Sequence, residues 1–317
     1  MRFSYSFLLR TLLLMGTLTP LPGRPLIADK PPVKQAATTR QPNSPRPAFK
    51  WVNPRDVSKL PGVEHQTFQS KTMKRAVGYF IYLPPRYKTS KQRMPVVYYL
   101  HGGRPGSEAK SVNLAAFVHQ AIQQGVIPPT IYVFVNGGPV SHYNLPDRKQ
   151  AMGEDVFVKE LIPHIDATYR TIATRGGRGL EGFSQGGRGT ARIMFKHPQL
   201  FCSAAPGGGG YATEKQIAEN DGRENENLKF TAGDNTWDLA RNYAERENPP
   251  PLKILVFVGN QGFNYENNLQ YMEFLQSLQI PFKRMIVEGA PHSAQKIYQK
   301  QGQEIMKFHA AAFAAEN

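Results

Sequence analysis

Cysteine is nearly absent from this 317-residue chain, in which Cys202 is the only one. A single thiol cannot form an intrachain disulfide, a CxxC redox pair or a zinc site built on several thiolates. We therefore expect neither a disulfide framework nor a metal site. Long apolar runs are also missing beyond the N-terminal region, so no later segment is expected to span a membrane.

Acidic residues are scarce beside basic ones, with 24 Asp and Glu against 39 Lys and Arg and a formal charge of +15. Such an excess is typical of proteins that bind nucleic acids or other polyanions. The charge is uneven, however, because residues 1–62 carry +8 and all the rest of the chain carries +7. We therefore expect no nucleic-acid partner, and polyanion binding is the third of three functional interpretations.

The N-terminal 23 residues have the pattern of an export signal. Arg2 and Arg10 flank a short basic region, and an apolar stretch around Leu12–Leu14 follows it without an acidic residue. This pattern predicts a signal peptide over 1–23 and a secreted or periplasmic protein. The nearest candidate cleavage site, at 26–28, is poor, so the alternative of an uncleaved membrane anchor remains. Such an anchor is the only membrane contact that we expect.

Residues 24–62 contain eight prolines among scattered Lys and Arg. Such a composition cannot bury a core and favours extended conformers. We interpret 24–62 as a basic, proline-rich linker, either a solvated spacer or a contact to an anionic envelope. The globular domain is then expected over 63–317.

Runs of Val, Ile, Tyr and Phe recur along this domain and predict strands. Two early segments, 66–70 and 76–83, read as an antiparallel hairpin, and later runs that are apolar on both faces suit a buried parallel sheet. The later strands are predicted at 96–100, 131–135, 178–181, 254–258 and 285–287. Amphipathic segments between them predict helices at 112–124, 156–169, 187–196, 267–278 and 294–314. This alternation indicates a doubly wound α/β domain.

A G-x-S-x-G turn at Gly182–Gly186 lies between a predicted strand and a predicted helix. In that position the turn holds its serine in a strained conformation with the hydroxyl exposed. The pattern therefore points to Ser184 as a catalytic nucleophile.

A serine hydroxyl needs a base within hydrogen-bond reach, most often a histidine. Of the eight histidines, five precede Ser184 and two lie on predicted helices. His292 alone follows a late strand in a short loop, so we predict that it is the base.

An acyl-transfer site also needs backbone donors for the oxyanion that forms in the transition state. The amide of Gln185, at the start of the helix behind Ser184, is one expected donor. The other is the amide of Gly103, in the loop His101–Arg104 after the third strand.

These segments together resemble the esterase D and feruloyl-esterase-like branch of the α/β-hydrolase superfamily. The resemblance covers about 64–314 and is carried by the stretches 82–87, 96–103, 154–163, 182–187, 197–201 and 291–292. It implies an α/β-hydrolase fold and cleavage of carboxylic esters without a cofactor or metal.

The third member of the triad departs from that branch. Relatives commonly place an aspartate where this chain has Gly262. Glu266, four residues further on, is the nearest replacement, although it could equally neutralise the start of the following helix. The other candidate carboxylates are Asp234, Asp238 and Glu288.

Residues 205–251 form an insertion before the predicted strand 254–258, where a roof over the site is expected. Tyr211, Trp237 and Tyr143 would there either form an aromatic wall or pack in the core.

The sequence thus predicts an exported serine carboxylic-ester hydrolase that acts through an acyl-enzyme, on a small-molecule or polysaccharide ester carrying acetyl or feruloyl groups. An acyltransferase with the same site is the near alternative. A degenerate carbohydrate-binding or ester-binding module is the alternative from another class, because of the missing aspartate.

Overall fold

The computed structural model describes residues 48–140, 142–145, 147–148 and 151–316. All of them fall within one unit that spans 43–317. The predicted signal peptide at 1–23 and the first part of the predicted linker, 24–47, lie outside the described residues.

Strands form where Val, Ile, Tyr and Phe are concentrated, because these side chains fit a pleated surface that is buried on both sides. Their bounds are β1 Val63–Ser70, β2 Arg75–Tyr82, β3 Val96–Leu100, β4 Ile131–Val135, β5 Arg178–Phe183, β6 Ser203–Gly207, β7 Arg223–Asn225, β8 Leu228–Lys229, β9 Lys253–Gln261 and β10 Lys283–Pro291.

In the described part of the chain, eight of these strands form one sheet in the order β1-β2-β4-β3-β5-β6-β9-β10. The pairs β1/β2 and β2/β4 are antiparallel, and every later neighbouring pair is parallel. This confirms the predicted mostly parallel sheet with an antiparallel N-terminal hairpin. The carboxyl ends of β3, β5, β9 and β10 meet at one edge, which is where an α/β sheet binds its ligand.

Helices cover both faces of the sheet. Their bounds are α1 Ala115–Gln123, α2 Gly153–Asp155, α3 Ile162–Thr168, α4 Gln185–Lys196, α5 Tyr211–Glu219, α6 Thr236–Ala244, α7 Tyr265–Ser277 and α8 Ala294–Ala314. A π-helical segment, Val156–Leu161, joins α2 to α3. None of the helices in the described ranges is both long and apolar enough to cross a membrane.

The alternation of side chains along β3 shows how the core is divided. Val96, Tyr98 and Leu100 pack into the cluster under α3, α4 and α7, whereas Val97 and Tyr99 pack into the cluster under α1 and α8. All five side chains are buried, as a central parallel strand requires.

The predicted insertion at 205–251 overlaps β6, which runs to Gly207. The additional elements are α5, the β7/β8 hairpin and α6. Tyr211, Trp237 and Tyr143 are buried there: Tyr211 stacks on Tyr271 with ring centroids 3.8 Å apart, and Tyr143 stacks on Phe230 at 3.9 Å. These aromatic rings therefore pack in the core and form no open wall.

The last part of the predicted linker does not behave as a spacer. Trp51 is buried, and its carbonyl accepts a hydrogen bond of 2.8 Å from Gly78 N on β2. The amide of Asn53 donates to Glu108, which is fully buried. Phe49, Val57 and Leu60 also pack against the core. Residues 48–62 thus pack on the domain, because these apolar side chains supply the surface that the surrounding prolines lack.

Candidate active site

Ser184 lies between the end of β5 and the start of α4, as the turn pattern predicts. Its φ of 60° and ψ of −115° are unfavourable for a residue with a side chain. The turn is held by hydrogen bonds from Ser184 N to Gly207 O (2.9 Å) and from Arg188 N to Ser184 O (3.1 Å). The strain of order 1–3 kcal/mol is sustained by these neighbours and presents the hydroxyl beyond the sheet edge.

Close backbone approach explains two glycines of the turn. A Cβ on Gly182 would lie 2.5 Å from Gly186 O, and a Cβ on Gly186 would collide with Leu100 O at the end of β3. Any side chain at either position would force α4 away from the sheet and displace Ser184.

His292 follows β10 directly and faces Ser184. Its Nε2 lies 2.9 Å from Ser184 Oγ. The two residues are 108 positions apart in sequence, and they meet because β5 and β10 end at the same edge of the sheet. The structure thus brings together the predicted nucleophile and the predicted base.

The other ring nitrogen of His292 faces Asn264, not a carboxylate. Nδ1 lies 3.0 Å from Asn264 Oδ1. The Nδ2 of Asn264 donates to Gly208 O at 2.6 Å and to Gly209 O at 3.0 Å. Because both amide protons are taken by carbonyls, the oxygen must point at His292, and Nδ1 must be the protonated nitrogen. Nε2 is then free to accept the Ser184 proton.

Glu266 lies elsewhere. It is exposed in the first turn of α7, where a negative charge suits the positive end of the helix. The partner of His292 is Asn264, two residues earlier, because Asn264 is the residue that immediately precedes α7 and is buried against the carbonyls after β6. This corrects the expectation that Glu266 reaches His292.

The other candidate carboxylates have partners of their own. Asp234 pairs with Arg192 and Lys196. Asp238 accepts from Asn235 and Arg241 at the start of α6, and Glu288 accepts from Asn260. None of these three carboxylates is the partner of His292.

The two predicted oxyanion donors belong to segments next to Ser184, the start of α4 and the loop after β3. Gln185 begins α4, so its amide belongs to the unpaired N–H groups of the first helical turn. Gly103 has a φ of +71°, and the loop passes so close that a Cβ on neighbouring Gly102 would lie 3.2 Å from Ser184 Cβ. The loop that holds Gly102 and Gly103 thus passes beside Ser184, and the role of the Gln185 and Gly103 amides as oxyanion donors stays a prediction.

His101 holds this loop in place. Its Nε2 accepts hydrogen bonds from Ser107 N and Gly137 N, both at 3.2 Å, and its Nδ1 lies 3.1 Å from Gly102 O. An imidazole that accepts at Nε2 must be neutral, and burial lowers the pKa of His101 to about 3. His101 thus acts as a neutral crosslink of the loop.

A charged bridge ties the same loop to the insertion. Glu224 in β7 accepts from Arg104 at 2.6 and 3.0 Å and from Arg188 of α4 at 3.0 Å. Although burial alone would raise the pKa of Glu224, the two guanidinium groups lower it. We call this the Glu224 bridge; it connects the residue after Gly103 with the helix behind Ser184.

His292 is enclosed by two aromatic rings. The Phe183 ring lies 4.8 Å and the Phe263 ring 4.4 Å from the imidazole, centroid to centroid. Burial lowers the pKa of His292 to about 4. The imidazole is therefore neutral over most of the pH range, as a general base must be.

Within the described residues, no group of three or more His, Cys, Asp or Glu side chains could hold a metal ion. The site as described consists of a serine, a histidine, an asparagine and backbone amides. Its arrangement suits acyl transfer through a covalent serine intermediate.

Sequence reasoning missed Asn264, the Glu224 bridge and Phe263. Asn264 was overlooked because only carboxylates were considered as partners of a histidine. A signal was available: Asn264 lies two residues after Gly262, the position at which relatives carry the acid.

The family assignment comes from sequence comparison. Residues 70–307 match the family described as "Putative esterase". An esterase of Mycobacterium tuberculosis is 29% identical over 148 residues, which are 46% of this chain and 32% of that protein. An endo-1,4-beta-xylanase/feruloyl esterase of Xylanibacter ruminicola is 28% identical over 152 residues, 44% of this chain and 20% of that protein. The chain thus spans a third or less of these relatives.

Structural comparison agrees on the fold. A solved ferulic acid esterase superposes with a TM-score of 0.65 at 19% identity, over 79% of this chain and 98% of the other. Likeness at that identity establishes the fold alone. Together with the family match over more than half of the chain, it shows that this protein is a member of the esterase family with an α/β-hydrolase fold.

Proposed function

We propose that the protein is a serine carboxylic-ester hydrolase. The observation that carries this is the unbroken hydrogen-bond chain from Ser184 Oγ through both nitrogens of His292 to Asn264 Oδ1. A module that only binds esters has no need for a strained serine backbone or a histidine of fixed tautomer.

In the proposed reaction, Ser184 Oγ attacks the ester carbonyl while His292 Nε2 takes its proton. The amides of Gln185 and Gly103 donate to the oxyanion of the tetrahedral intermediate. His292 then returns the proton to the leaving alcohol, and the acyl group remains on Ser184. Water, deprotonated by His292, releases the acid and regenerates the enzyme.

Asn264 orients His292 in this scheme but brings no negative charge. The imidazolium that forms during each proton transfer therefore lacks the electrostatic partner that an aspartate provides. We expect a slower enzyme than one with an aspartate, and one whose base stays neutral in mildly acidic solution.

Fluorophosphonate labelling tests the proposal. We expect a fluorophosphonate probe to modify Ser184 of the folded protein, as mapped by mass spectrometry, and Ser184→Ala to abolish labelling and ester hydrolysis. Ser277→Ala, at the exposed end of α7, is the matched control. If the folded wild-type protein is not labelled, the hydrolase proposal fails, and the degenerate binding module, favoured by the absent carboxylate, takes its place.

For the substrate, we propose a small-molecule or polysaccharide-linked ester that carries an acetyl or feruloyl group. Two similarities support this class: the relative from Xylanibacter ruminicola is named a xylanase/feruloyl esterase, and the superposed structure is a ferulic acid esterase. Acyl transfer to a sugar acceptor uses the same acyl-enzyme, so products must be analysed with and without such an acceptor.

We also propose that the protein is exported, on the sequence pattern of residues 1–23. Cell fractionation, with N-terminal sequencing of the mature protein, tests this. A full-length cytoplasmic product would contradict it.

A further inference from the structure

Phe263 is an exception among the large apolar side chains of the described residues. It is 67% exposed, and no other large apolar side chain there is classed as exposed. Isolated exposed apolar residues are common, so exposure alone assigns nothing. What distinguishes Phe263 is its position against the imidazole of His292.

The position of Phe263 is set by its neighbours. It lies between Gly262, whose amide donates to Gly259 O at 3.0 Å, and Asn264, whose side chain is bonded to two carbonyls after β6. Tyr265 N donates to Gly262 O at 3.0 Å, which closes the turn before α7. The ring is therefore presented to solvent by a backbone that is hydrogen-bonded on both sides.

The chemistry of the two reaction steps tells which part of an ester passes this ring. His292 Nε2 protonates the oxygen of the leaving alcohol, so that oxygen must come within hydrogen-bond reach of Nε2. Phe263 packs on the same imidazole. Of the two rings on this imidazole, Phe183 is buried and Phe263 is exposed. Phe263 is therefore the ring that an alcohol leaving past His292 can contact, while the acyl carbonyl faces the proposed donors, the amides of Gln185 and Gly103.

Polar side chains lie on the strand ends that directly precede Phe263 and His292 in the chain. Gln261 and Glu288 are exposed on the adjoining ends of β9 and β10, and Asn260 bridges these strand ends through Glu288 and the amide of Gly289. In addition, Gln185 Oε1, next to the nucleophile, is buried and accepts no hydrogen bond within the described protein. An exposed apolar ring that follows such a polar strand end suits a sugar ring, which has a C–H face and a rim of hydroxyl groups.

We infer that Phe263 is a specificity-determining residue that stacks against a sugar ring in the alcohol half of the substrate. This rests on the proposed function, since it assigns a role within the same acyl-transfer site. An acyl-pocket residue would affect both acylation and deacylation. A residue that contacts only the alcohol affects acylation alone, because after the alcohol has left the acyl-enzyme is the same for every alcohol.

Three esters that form one common acetyl-enzyme provide the test: 4-nitrophenyl acetate, ethyl acetate and a mono-acetylated methyl xyloside. The wild-type enzyme should prefer the xyloside ester to ethyl acetate. Phe263→Ala should lower that preference, as a ratio of kcat/KM values, about tenfold. Deacylation, measured as the steady-state rate after the burst with 4-nitrophenyl acetate, should change less than about twofold, because no alcohol is present in that step.

Two further variants separate the role from a mere support of His292. Phe263→Leu keeps an apolar contact to the imidazole but has no flat face, so it should lose the xyloside preference and retain deacylation. The control is Phe282→Ala, which alters a half-buried phenylalanine directly before the start of β10. It should change neither the xyloside preference nor the deacylation rate.

Three outcomes would overturn the assignment: equal losses on all esters, slowed deacylation in both Phe263 variants, or no preference for the xyloside ester in a wild-type enzyme that fluorophosphonate labels. Absence of labelling at Ser184 would instead show that the proposed function has failed. The two failures are therefore distinguishable.

Discussion

Asn264 determines the tautomer of His292 through hydrogen bonds that only an amide can make. Its Nδ2 donates to the carbonyls of Gly208 and Gly209, and this leaves Oδ1 as the acceptor for Nδ1–H. An aspartate at this position would face the two carbonyls with a second oxygen and repel them. The local structure is thus adapted to a neutral partner for His292.

Asn264→Ala should lower kcat/KM on the order of 10²-fold, because Nδ1 loses its acceptor and the ring no longer holds one tautomer. Steady-state hydrolysis of 4-nitrophenyl acetate measures this. Asn267→Ala, a half-buried asparagine on the first turn of α7, serves as the control and should retain activity. An Asn264→Ala enzyme of unchanged kcat/KM would exclude the orienting role.

The pH profile should reflect the lowered pKa of His292. Within the described residues, the hydrogen bonds and ring contacts of His292 all go to neutral side chains, and burial is the cause of the shift to about 4. Because the base must be unprotonated, kcat/KM should stay level as the pH falls and then decline with a midpoint near 4 instead of near 6.5.

Gly262→Asp should move this acid limb to higher pH. A Cβ on Gly262 would lie 3.6 Å from His292 Cβ and 3.1 Å from Gly259 O, so a carboxylate fits beside the imidazole after a shift of a few tenths of an ångström. The negative charge stabilises the imidazolium and raises the pKa of His292 by about one unit or more. A profile that does not move in Gly262→Asp would argue against His292 as the titrating base.

At the scale of elements, the β7/β8 hairpin supports the loop His101–Arg104 through the Glu224 bridge. Arg104 directly follows Gly103, and Arg188 lies on the helix that begins after Ser184. Glu224, 13% exposed, pairs with both guanidinium groups, and Arg188 also pairs with the buried Glu214 at 2.5 Å. Buried charges that lose a partner are costly. The carboxylate of Glu224 therefore holds Arg104, and with it the loop, against an Arg188 that Glu214 already fixes.

Glu224→Gln should therefore lower kcat about tenfold with little change in KM, since the Gly103 amide acts on the transition state more than on the bound ester. The melting temperature, recorded in parallel, reports any general loss of stability. Glu219→Gln, which alters an exposed pair with Lys215 on α5, is the control. A folded Glu224→Gln enzyme with normal kcat would show that the loop needs no such support.

Elements were predictable from sequence to the extent that their signals are local. Strands β3 and β4 follow runs that are apolar at every position, and α8 follows an amphipathic stripe; all three match the predicted bounds. The elements α5, α6 and the β7/β8 hairpin were not predicted, because their charged and glycine-rich sequence shows little periodicity. These elements are held in place by buried contacts with distant parts of the chain, such as the stacking of Tyr211 in α5 on Tyr271 in α7.

For the whole molecule, buried neutral histidines make stability depend on pH. Burial lowers the pKa of His101 to about 3 and lowers that of His142 well below its ordinary value. Each takes up a proton near pH 6.5 in the unfolded chain but stays neutral in the fold. The stability is thus fully present above pH 6.5 and falls as the pH drops toward 4, by about 1.4 kcal/mol per pH unit for each histidine.

His142→Asn should reduce this slope. The φ of His142 is +69°, a conformation that asparagine adopts more readily than most residues, so the backbone need not change. The free energy of unfolding, measured with urea between pH 4.5 and 6.5, should change less steeply with pH than in the wild type, by about 1.4 kcal/mol per pH unit. This difference in slope does not depend on the absolute stability of the variant. An unchanged slope would mean that His142 does not stay neutral in the fold.

The sequence by itself determined the sheet of alternating strands and helices, the strained turn at Ser184, the loop with Gly103 and the position of His292 after the last strand. Each of these depends on periodicity, turn chemistry or chain order, which are properties of short segments.

The tertiary structure alone decided which side chains meet. His292 selects Asn264 over Glu266 because Asn264 is held by carbonyls some 55 residues earlier in the chain, and Arg104 meets Glu224 across 120 residues. Trp51 is likewise buried against the domain, although the proline-rich composition of its segment predicts a separate linker. Such partners depend on which strand ends adjoin in the folded sheet, and no local pattern records that.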